Sequence, residues 1–309
     1  MAEPLTVLMA VYNGRTFVRT AIESILAQTY RSFRFLIVDD ASTDGTCALI
    51  RSYQDPRIEL LALERNIGQT AALNLGMRHA TTPWIGRMDA DDYSAPTRFE
   101  QQMHALVADT TLRCIGTQAW EFRDDPQVRG ALITRPPRHA DIQRAALEGA
   151  AMIHGTIVVS RAALLDVGGY DERFRFAADR ALFVRLFSSY RAANLAEPLL
   201  GIRRHPRQDS FSKVAADEYI QIFSELLASD RFPAAEQQIL KRSLAFAHLF
   251  RARYFRAARQ YRDWSRDLWQ ALELSPGTWC RQALDTLSAR WLPTRVHAVL
   301  RRRLARVGG

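Results

Sequence analysis

Apolar and polar positions alternate along the first hundred residues in a repeating order. Thr6–Val11 is a short apolar run that stops at Tyr12-Asn13-Gly14, a turn signal. Phe17, Ile22, Ile25 and Leu26 then recur at helical spacing. Phe33–Val38 is a second buried strand, halted by Asp39-Asp40-Ala41-Ser42-Thr43-Asp44-Gly45, and a helix follows to about Tyr53. Arg57–Leu63 reads as a third strand. Asn66-Ile67-Gly68 breaks the chain before a helix over Gln69–His79, and Trp84–Met88 is a fourth strand ending at Asp89-Ala90-Asp91-Asp92. Strands and helices in strict alternation imply an α/β fold with a mainly parallel sheet and helices on both faces.

That order places chemistry. In open parallel sheets ligands bind beyond the carboxyl ends of the strands. Tyr12/Asn13, Asp39/Asp40, Arg65/Asn66 and Asp89/Asp91/Asp92 each follow one of the four strands directly. They are expected to converge on one rim. The middle of the chain is mixed: Ile153–Val159 and Leu195–Arg203 read as strands, Gly168-Gly169-Tyr170-Asp171 as a turn, and Ala178–Phe187 as a helix. From about Val214 the pattern is helical throughout. Ala245–Leu274 has the spacing of a helix pair, faintly like one tetratricopeptide unit, but a single copy makes no repeat. The expected domains are 1–213, comprising a nucleotide-binding half (1–110) and an acceptor half (111–213), and a helical region over 214–309.

Composition narrows the class. The 309 residues are 48% hydrophobic and 24% charged, which is ordinary for a globular protein with a large core. The net charge of +9 is unevenly placed. From Lys241 onward fifteen Lys and Arg face four Asp and Glu, a surplus of +11 that leaves residues 1–240 at −2. The basic segment interleaves Arg with Tyr, Phe and Trp. One reading is contact with an anionic membrane surface; another is a helical appendage whose aromatics pack inward while Arg stays solvated. Dimerisation through the same helices is also open. Nucleic acid is not expected as a partner, because no binding motif accompanies the charge. Cys47, Cys114 and Cys280 lack metal-ligand or disulfide spacing, which suits a reducing compartment. With no secretory-type leader and no stretch of about 20 apolar residues, the expected location is cytoplasmic, with peripheral attachment to the inner face of a membrane as the variant.

Asp89-Ala90-Asp91-Asp92 crowds carboxylates on one loop. Like charges this close raise each other's pKa, and a divalent cation relieves the penalty. Hard oxygen ligands suit Mg²⁺ or Mn²⁺. The competing reading is a solvated acidic turn leading into the helix near Pro96.

Context weighs on that choice. VLMAVYNG, LIVDDASTDGT, ERNIGQTAALNLGMRHA and IGRMDADDYSAPTRFEQQ, in this order and spacing, resemble the N-terminal half of family-two glycosyltransferases of the GT-A fold. HGTIVVSRAALLDVGGYDERF resembles the acceptor-side segment of the same enzymes, so the likeness runs over about residues 4–210. The resemblance implies a Rossmann-like GT-A sheet with a helical C-terminal appendage. It also implies an inverting transfer from a nucleoside diphosphate sugar, with UDP as the commonest nucleotide and dTDP or GDP as alternatives. The acceptor would be a carbohydrate or lipid-linked hydroxyl, in bacterial surface polysaccharide or glycolipid assembly.

Site roles follow from the matching positions. Ala10, Val11, Tyr12 and Asn13 would line the nucleotide pocket. Asp40 matches the carboxylate that hydrogen-bonds the base, with Asp39 beside it, and Arg65 and Asn66 stand at a donor-contacting position. Asp89, Ala90 and Asp91 form the D-x-D segment, with Asp91 the better direct ligand for Mn²⁺ or Mg²⁺ and Asp89 on ribose or metal. His205 occupies a position that in relatives approaches the metal or diphosphate. Asp179 aligns with the catalytic base, but the neighbouring acidic positions hold Ala178 and Ala181. That departure motivates an alternative: a non-catalytic nucleotide-sugar-binding or scaffold protein of the same fold. A nucleotidyltransferase would need a basic Gly-rich loop after the first strand, which Ala10–Arg15 does not provide. The Gln-x-x-Arg-Trp motif of processive synthases is absent after Asp179.

Overall fold

A computed structural model describes residues 4–205 and 212–277. Ser210, Cys280 and the Arg-rich stretch 291–307 lie outside the described residues. The chain divides into two compact units, Met1–Glu218 and Tyr219–Gly309.

The first unit is built on one sheet of nine strands among the described residues. Strands β1 (Leu5–Val11), β2 (Phe33–Asp39), β3 (Ile58–Ala62) and β4 (Trp84–Arg87) lie in the spatial order β3-β2-β1-β4, all parallel. Every residue of β1 is buried, as a strand covered on both faces requires. Helices α1 (Val18–Leu26), α2 (Thr46–Arg51) and α3 (Gln69–His79) make the crossovers. Gly76 lets α3 sit close on the sheet: a Cβ there would meet Leu8 and Val38 side chains.

Beyond β4 the sheet becomes mixed. The two-residue β5 (Tyr93–Ser94) leads into α4 (Arg98–Ala108), and β6 (Leu112–Phe122) follows. After β7 (Leu132–Ile133) and α5 (His139–Ala146) comes β8 (Val158–Ser160), antiparallel to both β4 and β6. Helices α6 (Arg161–Asp166) and α7 (Ala178–Ser189) precede β9 (Arg191–Arg203), which runs parallel to β6 and antiparallel to β5. The sequence pattern expected a strand over Ile153–Val159. Its first part is instead a 3-10 turn, His154–Thr156, with Ile153 Oand the Thr156 hydroxyl closing it at 2.7 Å.

The second unit begins within α8 (Lys213–Ala228), which crosses the division. Its main feature is a helix hairpin, α9 (Ala234–Ala257) and α10 (Tyr261–Leu274), reversed at Arg259 with φ 58°. Ala245, Leu249, Ala252 and Phe255 pack against Trp264, Leu268, Ala271 and Leu272. Asp267 is fully buried, bound by His248 Nδ1 at 3.0 Å and Arg251 Nη2 at 2.6 Å. Among the described residues no helix is long and apolar enough to cross a membrane.

Candidate active site

The ends of β1, β2 and β4 share one edge, and hydrogen bonds tie their loops together. The Asp40 amide donates to Val11 O at 2.9 Å, and Met88 N to Leu8 O at 3.1 Å. Asn13, in the left-handed region at φ 52°, accepts from Thr43 N at 2.8 Å and donates its own amide to Ser42 Oγ at 2.9 Å. Ala10 and Val11 are buried at the strand end, while Tyr12 is exposed at the rim.

The two neighbouring aspartates have different surroundings. Asp40 is buried and accepts from Ile67 N at 2.7 Å through Oδ1 and from Gly68 N at 2.9 Å through Oδ2. Asn66 Nδ2 donates to Asp40 O at 3.1 Å, so this aspartate pins the loop after β3. Arg65 stands exposed on that loop. Asp39 is equally buried, yet its Oδ1 has no hydrogen-bond partner. Its charge, after burial itself, raises the pKa of the Cys47 thiol. A buried orphan oxygen at a strand end is costly and marks a place for a donor.

The acidic loop rests on arginines that pattern reading passed over. Arg87 is buried and donates to Asp89 Oδ1 at 2.6 Å. Arg98, wholly buried, donates to Arg87 O at 2.7 Å and interacts electrostatically with Asp92 and Asp89. Arg203 donates its amide to Asp92 Oδ1 at 3.1 Å and its Nε to Asp91 O at 3.0 Å. Three carboxylates thus face three guanidinium groups. Asp89 is held below the usual carboxylate range by Arg87 against the opposing effect of burial. Asp92 is pushed up by burial and by Asp91 and Asp89.

Asp91 is the carboxylate of this loop that meets a histidine. Burial and the Asp89 charge push its pKa up. Its Oδ2 stands 3.0 Å from His205 Nε2. The His205 ring in turn lies 4.5 Å from the Phe17 ring, and the Arg203 guanidinium covers Phe17 at 5.1 Å. Asp91 and His205, far apart in sequence, are therefore brought together; Ala90 sits between them and Asp89, partly buried.

Asp179 opens α7 at its second residue and is partly buried, with Oδ1 accepting from Arg180 N at 2.8 Å. His154 connects it to the acidic loop. Its ring lies 6.1 Å from that of Phe183, one turn along α7 from Asp179, and its Nε2 is 2.7 Å from the Tyr170 hydroxyl. The charges of both Asp179 and Asp89 act on His154 and on Tyr170. Gly155, next along, packs so close to the acidic loop that a Cβ would lie 3.1 Å from Asp89 Oδ2. Both carboxylates are thus close enough to His154 for their charges to be felt there. Burial pushes His154 down to about 4, so it is neutral at physiological pH.

The match of residues 6–168, just over half of the chain, to the model of glycosyl transferase family 2 decides the family. The chain belongs to glycosyl transferase family 2. EpsE of Bacillus subtilis, assigned as a glycosyltransferase, is 34% identical over 215 residues, 68% of this chain and 75% of its own. The fold is that of GT-A glycosyltransferases. TarS of S. aureus, solved with UDP-GlcNAc, superposes with a TM-score of 0.69 at 17% identity, over 88% of this chain and 81% of its own. The mannosyltransferase PcManGT of Pyrobaculum calidifontis, solved with GDP-Man and Mn²⁺, gives a TM-score of 0.61 at 20% identity, over 99% and 86%. This family-2 chain is a glycosyltransferase whose loops after β1, β2 and β3 are tied together at the carboxyl ends of the strands.

Proposed function

We propose that this glycosyltransferase moves a sugar, with inversion, from a nucleoside diphosphate sugar to an acceptor hydroxyl in bacterial surface polysaccharide or glycolipid assembly. The carrying observation is the hydrogen-bonded meeting of Asp91 and His205, residues far apart in sequence, at the end of β4. TarS and PcManGT, which share the fold, were solved with UDP-GlcNAc and GDP-Man, so both accommodate nucleotide sugars.

The resemblance gave the base-binding role to Asp40, but both its carboxylate oxygens are taken by the Ile67 and Gly68 amides, so Asp39 beside it would take an N–H of the nucleobase instead. Asp40 would act by holding the loop after β3 in place, where Arg65 and Asn66 face the donor. Tyr12, exposed at the rim, would lie against the base. Asp91 Oδ2 and His205 Nε2, hydrogen-bonded at 3.0 Å, offer one oxygen and one nitrogen donor of the kinds a divalent ion takes. Among the described residues no three acidic, His or Cys side chains form a complete cage. Mn²⁺ or Mg²⁺ would therefore be held by Asp91 and His205, with diphosphate oxygens and water filling the shell. When bound, the ion would stabilise charge growing on the departing diphosphate.

The chain's own groups do the rest. Asp179 accepts the proton of the acceptor hydroxyl as its oxygen bonds to the anomeric carbon on the face opposite the diphosphate. The bond from that carbon to the phosphate oxygen breaks, and the nucleoside diphosphate leaves with the electron pair. His154, neutral and held by the Tyr170 hydroxyl, adds no positive charge that would weaken the base. On the helical unit, exposed Phe246, Tyr261 and Trp269 stand among exposed Arg242, Arg253, Arg262 and Arg266, which supports peripheral contact with an anionic membrane.

The test is thermal stabilisation by UDP-GlcNAc, UDP-glucose, GDP-mannose and dTDP-glucose, with and without Mn²⁺. Asp91→Asn should remove the Mn²⁺-dependent part of the shift, and Asp179→Asn should keep the shift but lose transfer. A parent whose nucleotide-sugar affinity ignores Mn²⁺ would overturn the metal reading. A parent that binds donor but never turns over would leave the scaffold reading in possession.

A further inference from the structure

The first turn of α7, which carries Asp179, is not capped by its own sequence. Its N-cap, Ala177, offers no side-chain acceptor, and Ala178 and Ala181 are buried methyl groups. The capping carboxylate arrives from another helix. Glu218, on α8, is 8% exposed and accepts from Arg175 N through Oε1, and from Phe176 N and Ala177 N through Oε2, all at 2.8 Å. Three successive amides thus close on one carboxylate at the positive end of α7. Charge-assisted bonds of this kind are stronger than neutral ones and fix direction as well as distance. The segment just before is anchored from the other side, where Thr70 Oγ1 of α3 donates to Phe174 O at 2.8 Å.

We infer that Glu218 is a positioning residue for the transfer reaction, setting the start of α7 so that Asp179 reaches the acceptor hydroxyl. The inference rests on the reading of Asp179 as base. It assigns a catalytic consequence to a residue outside the segment matched by the family model. Rates depend steeply on such placement: a displacement of about 1 Å at a reacting group costs on the order of 100-fold. Glu218 touches only backbone, so it would act through Asp179 and leave the donor side, built on β1, β2 and β4, untouched.

The test uses the full chain with Glu218→Gln. Glutamine keeps one acceptor oxygen but turns an NH₂ group toward a backbone N–H, donor against donor. Hydrogen exchange over residues 174–182 should accelerate at least tenfold, while amides of β1 and β4 keep their protection. Nucleoside diphosphate release from UDP-GlcNAc, UDP-glucose and GDP-mannose with Mn²⁺ is followed in parallel. For the donor that turns over, kcat should fall at least tenfold with donor KM within twofold of the parent. Glu225→Gln, an exposed site on the same helix, should change neither readout. Unchanged exchange in Glu218→Gln would overturn the clamp. An equal loss in kcat and donor affinity, or loss of protection across the sheet, would reduce Glu218 to general support of the fold and overturn the inference. Undiminished turnover in Asp179→Asn would remove the base reading instead, and the exchange experiment would still decide whether the clamp exists.

Discussion

Replacing Arg98 with methionine tests how the acidic loop is tolerated. The guanidinium is wholly buried, bonded to Arg87 O at 2.7 Å and to Gln102 Oε1 at 3.2 Å, and set against Asp92 and Asp89. Burial pushes its pKa down to about 9, which still leaves it charged at pH 7. Methionine fills similar space without the charge, so the expected loss comes from stranding carboxylates. Breaking a buried charge pair by removing one partner costs about 3–5 kcal/mol. Set against a typical total of about 5–15 kcal/mol, that is about a fifth or more of the stability. Urea unfolding of parent, Arg98→Met, Asp92→Asn and the double variant completes a cycle. The double variant should recover about 2 kcal/mol relative to the sum of the single changes, as coupled neighbours do. A single-variant loss below about 1 kcal/mol, or simple additivity, would refute the idea that Arg98 neutralises this loop.

Other expectations follow from the same geometry. Asp40→Ala leaves two amides, Ile67 N and Gly68 N, without their carboxylate. At about 1.5–3 kcal/mol for each hydrogen bond to a charged group, discounted because that loop is partly exposed, the loss by urea unfolding should be about 2–4 kcal/mol. For His154 the folded pKa of about 4 lies below the unfolded value, so the unfolded chain binds the extra proton between about pH 6.5 and 4. Its contribution is intact above pH 6.5 and is lost as pH falls toward 4. NMR titration of the ring should show no protonation down to pH 5, and an ordinary midpoint near 6.5 would contradict the burial argument. Tyr170→Phe, which removes the 2.7 Å contact to His154 Nε2, should cost about 1 kcal/mol in unfolding with no change in Mn²⁺ response.

The N-terminal half was legible because β1 and β2, at its centre, are buried along nearly their whole length. Such strands read as unbroken apolar runs, and the residues that end them, Asn13, Asp39, Asp40 and Asp89, announce the loops. The middle was harder. Strand β6, LRCIGTQAWEF, carries Gly116, Thr117 and Gln118 in its centre, and nothing in its pattern marks it as core. Those polar groups are buried because distant residues satisfy them: Gln118 Nε2 donates to Leu195 O at 2.9 Å, and Thr117 N to the Thr156 hydroxyl at 3.2 Å. Arg87 and Arg98 escaped for a related reason. Arginine is ordinarily solvated, and only the carboxylates folded over these two explain their burial. Glu218 left no local signal at all, since its partners are backbone amides about forty residues earlier. Asp91 and His205 were each singled out as metal candidates from the family resemblance, but nothing in the sequence showed that they meet, and Phe17, which packs on the His205 ring, read only as a helix position.

The order in which the sheet is stitched bears on how the chain emerges from a ribosome. Strands β1 to β4 are complete before residue 90, but β4 gains its outer neighbour only with β8, some seventy residues later. Arg203, which holds Asp91 and Asp92, is made later still. A nascent chain therefore displays an open strand edge until β8 arrives, and Asp91 and Asp92 wait longer still for Arg203. Charge beside an exposed edge discourages edge-to-edge pairing, so these carboxylates would also guard the unfinished sheet.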